Sequence, residues 1–349
     1  MRAKEAPKVV IIILNWNNWR DSIACLDSLS RISYHNYDII LADNGSNDDS
    51  IAHFQRYCES NAEFESSSVS SRNKRAAIKA VTNLKASANA ATHNAHGETP
   101  ALERNKLILI ENDKNAGFSE GCNLAMDYAC KHLNPCYFLL LNNDTIVDRR
   151  FLDELVEAAE SDPRIGFAGP KIYYCNFNGK KNVIQTAGGK MNFRRGTNEA
   201  LKALMEDQGQ RDETREVDYV SGACLLTKKR LIHDIGMLDP CYFMYWEEVD
   251  WCIRGRKAGY KCLQVPTSRI WHKINPSKGG EAYYYYRTRN KFWFLKKNGT
   301  TKEYLSALTF FFFYQFWVTT GSVLLRHKSP KEFFALVIGT WDGLGAVRG

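Results

Sequence analysis

Apolar residues in this 349-residue chain come in short, unbroken runs, and the first four runs stop at clusters of Asn, Asp and Ser. The runs at 9–14, 38–43, 107–110 and 137–144 predict strands, as do those at 166–171, 219–226 and 260–265. Tyr137-Phe-Leu-Leu-Leu141 has no polar break, which is the pattern of a strand buried on both faces of a parallel sheet. Helical spacing follows most of these runs. Ile23, Leu26 and Leu29 share one face of a predicted helix over 19–29, and further helices are predicted to about 131 and over 151–161 and 228–235. Alternation of strands and helices predicts an α/β fold with a mostly parallel central sheet flanked by helices. Residues 60–104 break the pattern. Rich in Ser, Ala and Asn, they read as a flexible insertion with one weak helix around 75–90. Residues 172–216 read as hairpin and loop.

The last part of the chain is patterned differently. Residues 282–295 predict an aromatic, basic helix, and 305–325 form an apolar stretch of about 31 Å as a helix, just enough for a bilayer core. Ser306, Thr309, Gln315, Thr319, Thr320 and Ser322 make it polar for a spanning segment, and basic residues flank both ends. That favours an interfacial or re-entrant hairpin, with 333–347 as the returning amphipathic helix, over a one-way crossing; a buried core helix is the alternative. The organisation expected is thus a catalytic domain over 1–270 and a membrane-associating helical region over 271–349.

Charge sharpens this division. From Trp271 onward there are 12 Lys and Arg against 4 Asp and Glu, whereas the preceding 270 residues hold 35 of each. A neutral body with a basic tail points to an anionic membrane surface as partner. The tail has some of the stacking and phosphate-contact chemistry of a nucleic-acid surface, but no nucleic-acid motif accompanies it, and nucleic acid is not an expected partner. Ten scattered cysteines without a Cys-x-x-Cys pair read as reduced thiols rather than a disulfide or zinc framework. No signal peptide is read ahead of the first strand.

The polar clusters carry the candidate chemistry. Ligands collect outside the carboxyl ends of strands in open α/β sheets. Asn142-Asn143-Asp144 stands at such an end, where an amide oxygen and a carboxylate would suit Mg²⁺ or Mn²⁺; taken alone, the same residues read as a turn, and the rest of the chain changes that reading. Asp43 and Asn44 end the second strand. Gly117 and Gly121 open a helix where a ligand or another backbone approaches closely. Gly222 sits where a side chain would obstruct something. Glu247, Glu248 and Asp250 open a helix that ends in Arg254, Arg256 and Lys257. The helix dipole alone accounts for that order; equally, acids among Tyr242, Phe243, Tyr245, Trp246 and Trp251 are desolvated as a general base requires. His272 and Lys273 precede a Lys-, Pro- and Gly-rich loop over 275–280 that would fold over a diphosphate.

In order and spacing, Ile-Leu-Asn-Trp-Asn17, Asp43-Asn-Gly-Ser46, Asn115-Ala-Gly-Phe118 with Asn123, and Leu-Asn-Asn-Asp144 resemble a family 2 glycosyltransferase of the GT-A (Rossmann-like) fold. Ser-Gly-Ala223, Tyr-Trp-Glu-Glu-Val-Asp-Trp-Cys252 and Trp-His272 extend the likeness over about residues 8–295, and the bacterial rhamnosyltransferase-like members are the most similar subgroup. The resemblance implies an inverting, metal-dependent transfer of a sugar, rhamnose among the candidates, from a dTDP- or UDP-sugar. The acceptor implied is a glycan or lipid-linked hydroxyl, in cell-surface polysaccharide assembly on the cytoplasmic face of the inner membrane. It implies that Asn15, Asn17, Asp43, Asn44, Gly117, Phe118 and Asn123 line the nucleotide-sugar pocket, together with Asn142, Asn143, Gly222, Ala223, His272 and Lys273. Asp144, Asn142 and His272 would contact Mg²⁺ or Mn²⁺, and Glu248 would be the base, with Glu247 and Asp250 as alternatives. Two positions depart from the family pattern: Asn142 opens its Asp-x-Asp motif, and Glu248 stands where Asp is usual. A nucleotidyltransferase is the rival enzyme, although Asn15-Trp-Asn-Asn18 is unlike its Gly- and Arg-rich phosphate loop. A catalytically inactive, membrane-bound sugar-nucleotide binder is the rival of another class.

Overall fold

The computed structural model describes residues 6–65, 76–84, 105–209, 213–273 and 279–345, with the backbone alone for 61–65 and 76–84. The first half runs β1 (Val9–Asn15), α1 (Trp19–Leu29), β2 (Tyr37–Asp43), α2 (Ser50–Asn61), β3 (Ala62–Glu65), β4 (Ala76–Leu84) and β5 (Lys106–Asn112). It continues through α3 (Gly117–His132), β6 (Tyr137–Asn142), β7 (Thr145–Val147), α4 (Phe151–Glu160) and β8 (Ile165–Tyr174). Three short strands follow, β9 (Ile184–Thr186), β10 (Gly189–Asn192) and β11 (Thr197–Ala200), the last two pairing as a hairpin. Then come β12 (Arg215–Val217), β13 (Cys224–Lys228), α5 (Lys229–Ile235), α6 (Glu247–Lys257), β14 (Lys261–His272) and α7 (Glu281–Asn298). The chain closes on α8 (Thr301–His327) and α9 (Pro330–Leu344).

The main sheet has the order β12-β14-β8-β13-β6-β1-β2-β5-β4-β3, with β6, β1, β2 and β5 parallel at its centre. Successive residues of a strand face opposite ways, and here both faces are covered. Val9, Ile11 and Ile13 of β1 enter a core shared with α1 and α4, while Val10 and Ile12 enter a second core shared with α3, α6 and α7. Leu139 and Leu141 join the first core, and Phe138 and Leu140 the second. Each such side chain contributes roughly 1.5–3 kcal/mol by leaving water. The unbroken apolar runs are the direct consequence.

Three expectations change in detail. The stretch expected as a helix around 75–90 is instead β4 over its described part, antiparallel to β5. The unpaired N–H and C=O groups along β5 recruit it, an edge-strand effect that local propensity does not register; 66–75 and 85–104 lie outside the described residues. The run 219–226 is extended only from Cys224. A turn closed by the Cys224 N–H on the Ser221 carbonyl (3.2 Å) interrupts it just before the strand. The run at 260–265 is only the first part of a strand that continues to His272 with a bulge, the register against β8 jumping between Val265 and Arg269. That bulge sets His272 opposite Thr145 of β7.

The C-terminal helices are joined to the domain through α7. Phe294 and Leu295 of α7, and Ala307 of α8, belong to the second core. Asp250 of α6 is fully buried and ties α6 to α7: it accepts from Arg254 Nε (2.7 Å), Lys297 Nζ (3.1 Å) and Asn298 Nδ2 (2.7 Å). On α8, Ala307, Phe311 and Val323 are buried, while Phe313 is 83% and Leu325 77% exposed. Ala307, Phe311, Gln315, Thr319 and Val323 recur every fourth residue, and an ordinary helix of about 3.6 residues per turn would carry such a stripe around its surface. Two π-helical segments, Phe311–Gln315 and Ser322–His327, widen the turn and help keep the stripe on one side. Among the described residues, α8 is the one helix long and apolar enough to cross a membrane.

The Asp250 clamp gives a test of this packing. Asp250→Ala leaves two cations and an amide without their shared acceptor and should cost about 3 kcal/mol of unfolding free energy in urea; an unchanged denaturation midpoint would contradict it.

Candidate active site

The carboxyl ends of β1, β2 and β6 lie side by side, with Asn15 paired to Asp43 and Leu14 to Asn142. One side chain ties them together. Asn15 is fully buried, and its Nδ2 donates to Asp43 Oδ1 (2.7 Å), Ser50 Oγ (3.1 Å) and Ser46 Oγ (3.2 Å). Its Oδ1 accepts from Ser22 Oγ (2.8 Å) and Asn143 Nδ2 (3.2 Å). Asp43 in turn accepts from the Ser46 hydroxyl (2.6 Å) and N–H (2.9 Å), which folds the 43–46 loop back over the strand end. Asn17, in the left-handed region at φ 52°, donates its N–H to the same Ser46 hydroxyl (2.8 Å) and accepts from the Asn47 N–H (2.9 Å). Asn44 spans the next gap, donating to Asn115 Oδ1 (3.0 Å) and the Gly117 carbonyl (3.1 Å).

Gly117 has no room for a side chain. At φ +83°, a Cβ would stand 2.5 Å from the Phe243 carbonyl oxygen, the atom that accepts the Phe118 N–H at 2.6 Å. Further along α3, Asn123 donates to the Leu238 carbonyl (2.8 Å), and its buried Oδ1 has no partner among the described residues.

Beyond β6, the short β7 pairs with the end of β14 and brings Asp144 Oδ1 to 2.9 Å from His272 Nε2, with Asn142 Nδ2 at 3.4 Å from the same nitrogen. The other ring nitrogen, Nδ1, lies 3.0 Å from Gln185 Oε1, an oxygen that only accepts. Nδ1 therefore donates to Gln185, and a proton or a divalent cation must bridge the contact between Nε2 and Asp144. Burial pushes the Asp144 carboxyl up, but the hydrogen bond and charge of His272, with Lys273 beyond, outweigh it and hold the group below its ordinary value. No group of three or more His, Cys, Asp or Glu side chains converges as a cation cage among the described residues. A carboxylate and an imidazole fit a metal that takes its remaining ligands from water and substrate phosphates. Lys273 donates its N–H to the Asp144 carbonyl (2.9 Å) and its Nζ to Asp21 Oδ1 (2.5 Å).

The paired acids arrive from the other side. Tyr245 and Trp246 take φ values of 67° and 78°, consecutive left-handed residues that cost roughly 1–3 kcal/mol each unless held. The fully buried Asn290 of α7 holds them, donating to the carbonyls of Met244 (2.8 Å) and Tyr245 (2.9 Å), while Trp246 Nε1 donates to the Arg287 carbonyl (3.0 Å). Out of this turn α6 begins with Glu247 and Glu248. Burial, and then the neighbouring Glu248, push the Glu247 carboxyl well up. Burial also raises Glu248, against backbone N–H groups and the Arg287 charge, which pull it down. Both Oε2 atoms are buried without a partner among the described residues. Gly222 faces Glu248, but a Cβ there would sit 3.5–3.7 Å from its side chain, ordinary van der Waals contact, so the obstruction expected at this glycine is not found. Ala223 accepts the Asn142 N–H (3.0 Å), which links this side to the Asp144 side.

Hydrogen bonds thus connect Asp43, Asn15 and Asn143, and the adjoining Asn142 with Asp144, His272 and Ala223, while Gly222 faces Glu248. Asn143 is turned away to the buried amide cluster, donating to Ser22 Oγ (3.0 Å), and Asp250 is committed to the helix clamp. Ser22, Ser46, Gln185, Asn290 and Arg287 were not singled out from sequence. Only Ser46 stood within a quoted motif, and Gln185 lies in a stretch with no periodic signal. Of the loop over 275–280, residues 275–278 lie outside the described residues.

Residues 7–297 match the family model described as "Glycosyltransferase like family 2". The chain is 28% identical over 152 residues to the low-salt glycan biosynthesis hexosyltransferase Agl10 of Haloferax volcanii, covering 43% of this chain and 47% of that protein. It is 30% identical over 135 residues to the N-acetylglucosaminyl-diphospho-decaprenol L-rhamnosyltransferase of Mycobacterium tuberculosis, covering 37% and 44%. The chain thus spans under half the length of these relatives. Among solved structures, GalNAc-T7 with UDP, GalNAc and Mn²⁺ superposes with a TM-score of 0.58 at 15% identity, covering 83% of this chain and 48% of that one. The mannosyltransferase PcManGT of Pyrobaculum calidifontis, in complex with GDP-Man and Mn²⁺, gives 0.55 at 13% identity, covering 98% and 88%. The fold is GT-A.

The raised carboxyls make a testable statement about stability. Their folded values lie above the ordinary 4.5, so the folded state binds more protons, and stability falls as pH rises from about 4.5 through the folded value. Glu247→Gln should flatten that decline in melting temperature against pH, gaining most over wild type at the alkaline end; parallel curves would contradict the assignment.

Proposed function

Because the chain belongs to glycosyltransferase-like family 2, we propose that it moves a sugar from a nucleoside-diphosphate donor to a hydroxyl of a glycan or lipid-linked acceptor, inverting the anomeric centre. A dTDP- or UDP-sugar is the donor, rhamnose being one candidate, and cell-surface polysaccharide assembly is the setting. The observation that carries this reading is the Asp144–His272 contact, with Asn142 bonded to Ala223 and the neighbouring Gly222 facing Glu248, a raised carboxyl whose Oε2 is buried without a partner among the described residues. The names of the mycobacterial and haloarchaeal relatives support a glycan product, and that of the mycobacterial one a lipid diphosphate acceptor.

In this reading Asn15, Asp43, Asn44 and Gly117 form the floor and wall of the nucleotide side, with Asn17, Phe118 and Asn123 around them. Asp144 and His272, with Asn142, would hold Mg²⁺ or Mn²⁺, which when bound neutralises charge developing on the departing diphosphate. Gln185 keeps the His272 ring oriented, and Lys273 adds a positive charge beside the leaving group. Glu248 accepts the proton of the acceptor hydroxyl while its oxygen forms a bond to the anomeric carbon, and the carbon–oxygen bond to the diphosphate breaks on the opposite face. A desolvated carboxyl with a raised pKa is a stronger base for that step. Glu247 beside it is itself pushed well up, by burial and then by the Glu248 charge. The exposed aromatic faces of α8 and α9, with the basic residues around them, fit attachment to an anionic membrane surface on the cytoplasmic side, peripheral or monotopic.

Asp144→Ala should abolish transfer, and Glu248→Gln should lower it by about 10²–10⁴-fold, read as nucleoside diphosphate released from dTDP- and UDP-sugars with Mn²⁺ and acceptor. Full turnover by Glu248→Gln would remove that residue from the role. A melting-temperature panel of nucleotide-sugars with and without Mn²⁺ identifies the donor, since binding to the native state alone raises stability.

A further inference from the structure

The inner stripe of α8 does not meet the domain flush. Between α8, α7 and the β10–β11 hairpin lies a cavity of about 270 Å³, lined among others by Arg287 and Lys291 of α7, Thr197 of the hairpin, and Gln315 and Thr319 of α8. Trp246, two residues ahead of Glu248, forms part of its wall. Lys291 is buried, donates to Gln315 Oε1, and stands 4.8 Å from the centre of the Phe311 ring. Gly196, at φ +60°, brings the hairpin against it: a Cβ there would lie 2.9 Å from Lys291 Cε. The Thr197 hydroxyl is buried with no partner among the described residues. The residues lining the cavity include no carboxylate.

A buried ammonium and an exposed guanidinium beside an idle hydroxyl, with no carboxylate in the cavity lining, are the donor set of an anion site. Burial and the neighbouring Arg287 pull the Lys291 ammonium down to about 7. A bound anion would restore its charge. Guanidinium and ammonium together suit a phosphate, whose oxygens take several charge-assisted hydrogen bonds. The setting also bears on what carries the phosphate. The outer face of α8 exposes Phe313, Trp317 and Leu325, so the cavity opens behind an apolar surface of the kind that sits at acyl-chain level.

We propose that this cavity receives the phosphate or diphosphate group of a lipid-borne acceptor and holds its attached hydroxyl near Glu248. The proposal rests on the transferase reading for the acceptor's role, but the site itself is testable without turnover. Full-length protein is floated with phosphatidylcholine vesicles carrying a few per cent of polyprenyl diphosphate, and with vesicles of equal charge made with phosphatidylglycerol. Binding should favour the polyprenyl diphosphate vesicles by about tenfold or more, be displaced by soluble inorganic diphosphate, and fall about tenfold in Lys291→Gln. Thr197→Val, nearly isosteric and neutral, should weaken the same binding about two- to tenfold and serves if the lysine variant fails to fold. Equal binding to both vesicle types, unchanged binding by the Thr197 variant, or binding of free diphosphate without preference for the lipid would each overturn the proposal. Nucleotide-induced stabilisation, measured on the same preparations, reports on the transferase reading separately. Its loss with lipid selectivity intact would sink that reading and leave the phosphate site standing.

Discussion

One buried carboxamide fixes the pocket. Asn15 meets Asp43, Ser46 and Ser50 on one edge and Ser22 and Asn143 on the other, so the ends of three adjacent strands share a single hydrogen-bond network. Buried polar groups in such a network are stabilising only when all are satisfied, and that requirement dictates how the loops after β1, β2 and β6 must run. The position of Asp144 follows from it. Asn142 and Asn143 are held by the strand ends, and β7 then has one direction in which to leave and pair with β14.

The Glu247–Glu248 pair is positioned by a second, independent device. The turn before α6 is unfavourable in isolation, and Asn290, reaching from α7, makes it the native conformation. α7 is therefore part of the site's support as well as the link to the apolar helices. The same helix carries Arg287, which moderates Glu248 electrostatically and lines the cavity under α8. The Glu248 turn, the cavity and the exposed apolar face of α8 are thus all packed against one element, α7, so a lipid-borne group held at the cavity, as proposed, would be aligned with the carboxylate by the same packing.

Most of this architecture could be read from residue order. The strands with both faces buried announced themselves as unbroken apolar runs, and α1 was bounded correctly by its Ile23, Leu26 and Leu29 face. The polar clusters at the strand ends are where the structure places the Asn15 network and the Asp144–His272 contact. What could not be read was anything that depends on a distant partner. β4 is a strand because β5 offers an open edge, and no local signal distinguishes that from a weak helix. Asp250 looked like a third candidate base until Lys297 and Asn298, some 47 residues on, proved to be its partners. Gln185 gains its meaning only from His272 across the sheet. The polar residues that seemed to weaken α8 as an apolar helix include Gln315 and Thr319, which face inward to the cavity.

The central claim is that Asp144 and His272, brought together by β7 and β14, hold the divalent cation that faces the diphosphate. Crystals of the protein grown with Mn²⁺ and a nucleoside diphosphate test it most directly, through the anomalous difference map. The account predicts one strong Mn²⁺ peak within coordination distance of an Asp144 carboxylate oxygen and His272 Nε2, its remaining ligands being water and phosphate oxygens. A nucleotide bound with its Mn²⁺ elsewhere, or with Asp144 and His272 still in direct contact and no metal between them and the phosphates, would contradict it.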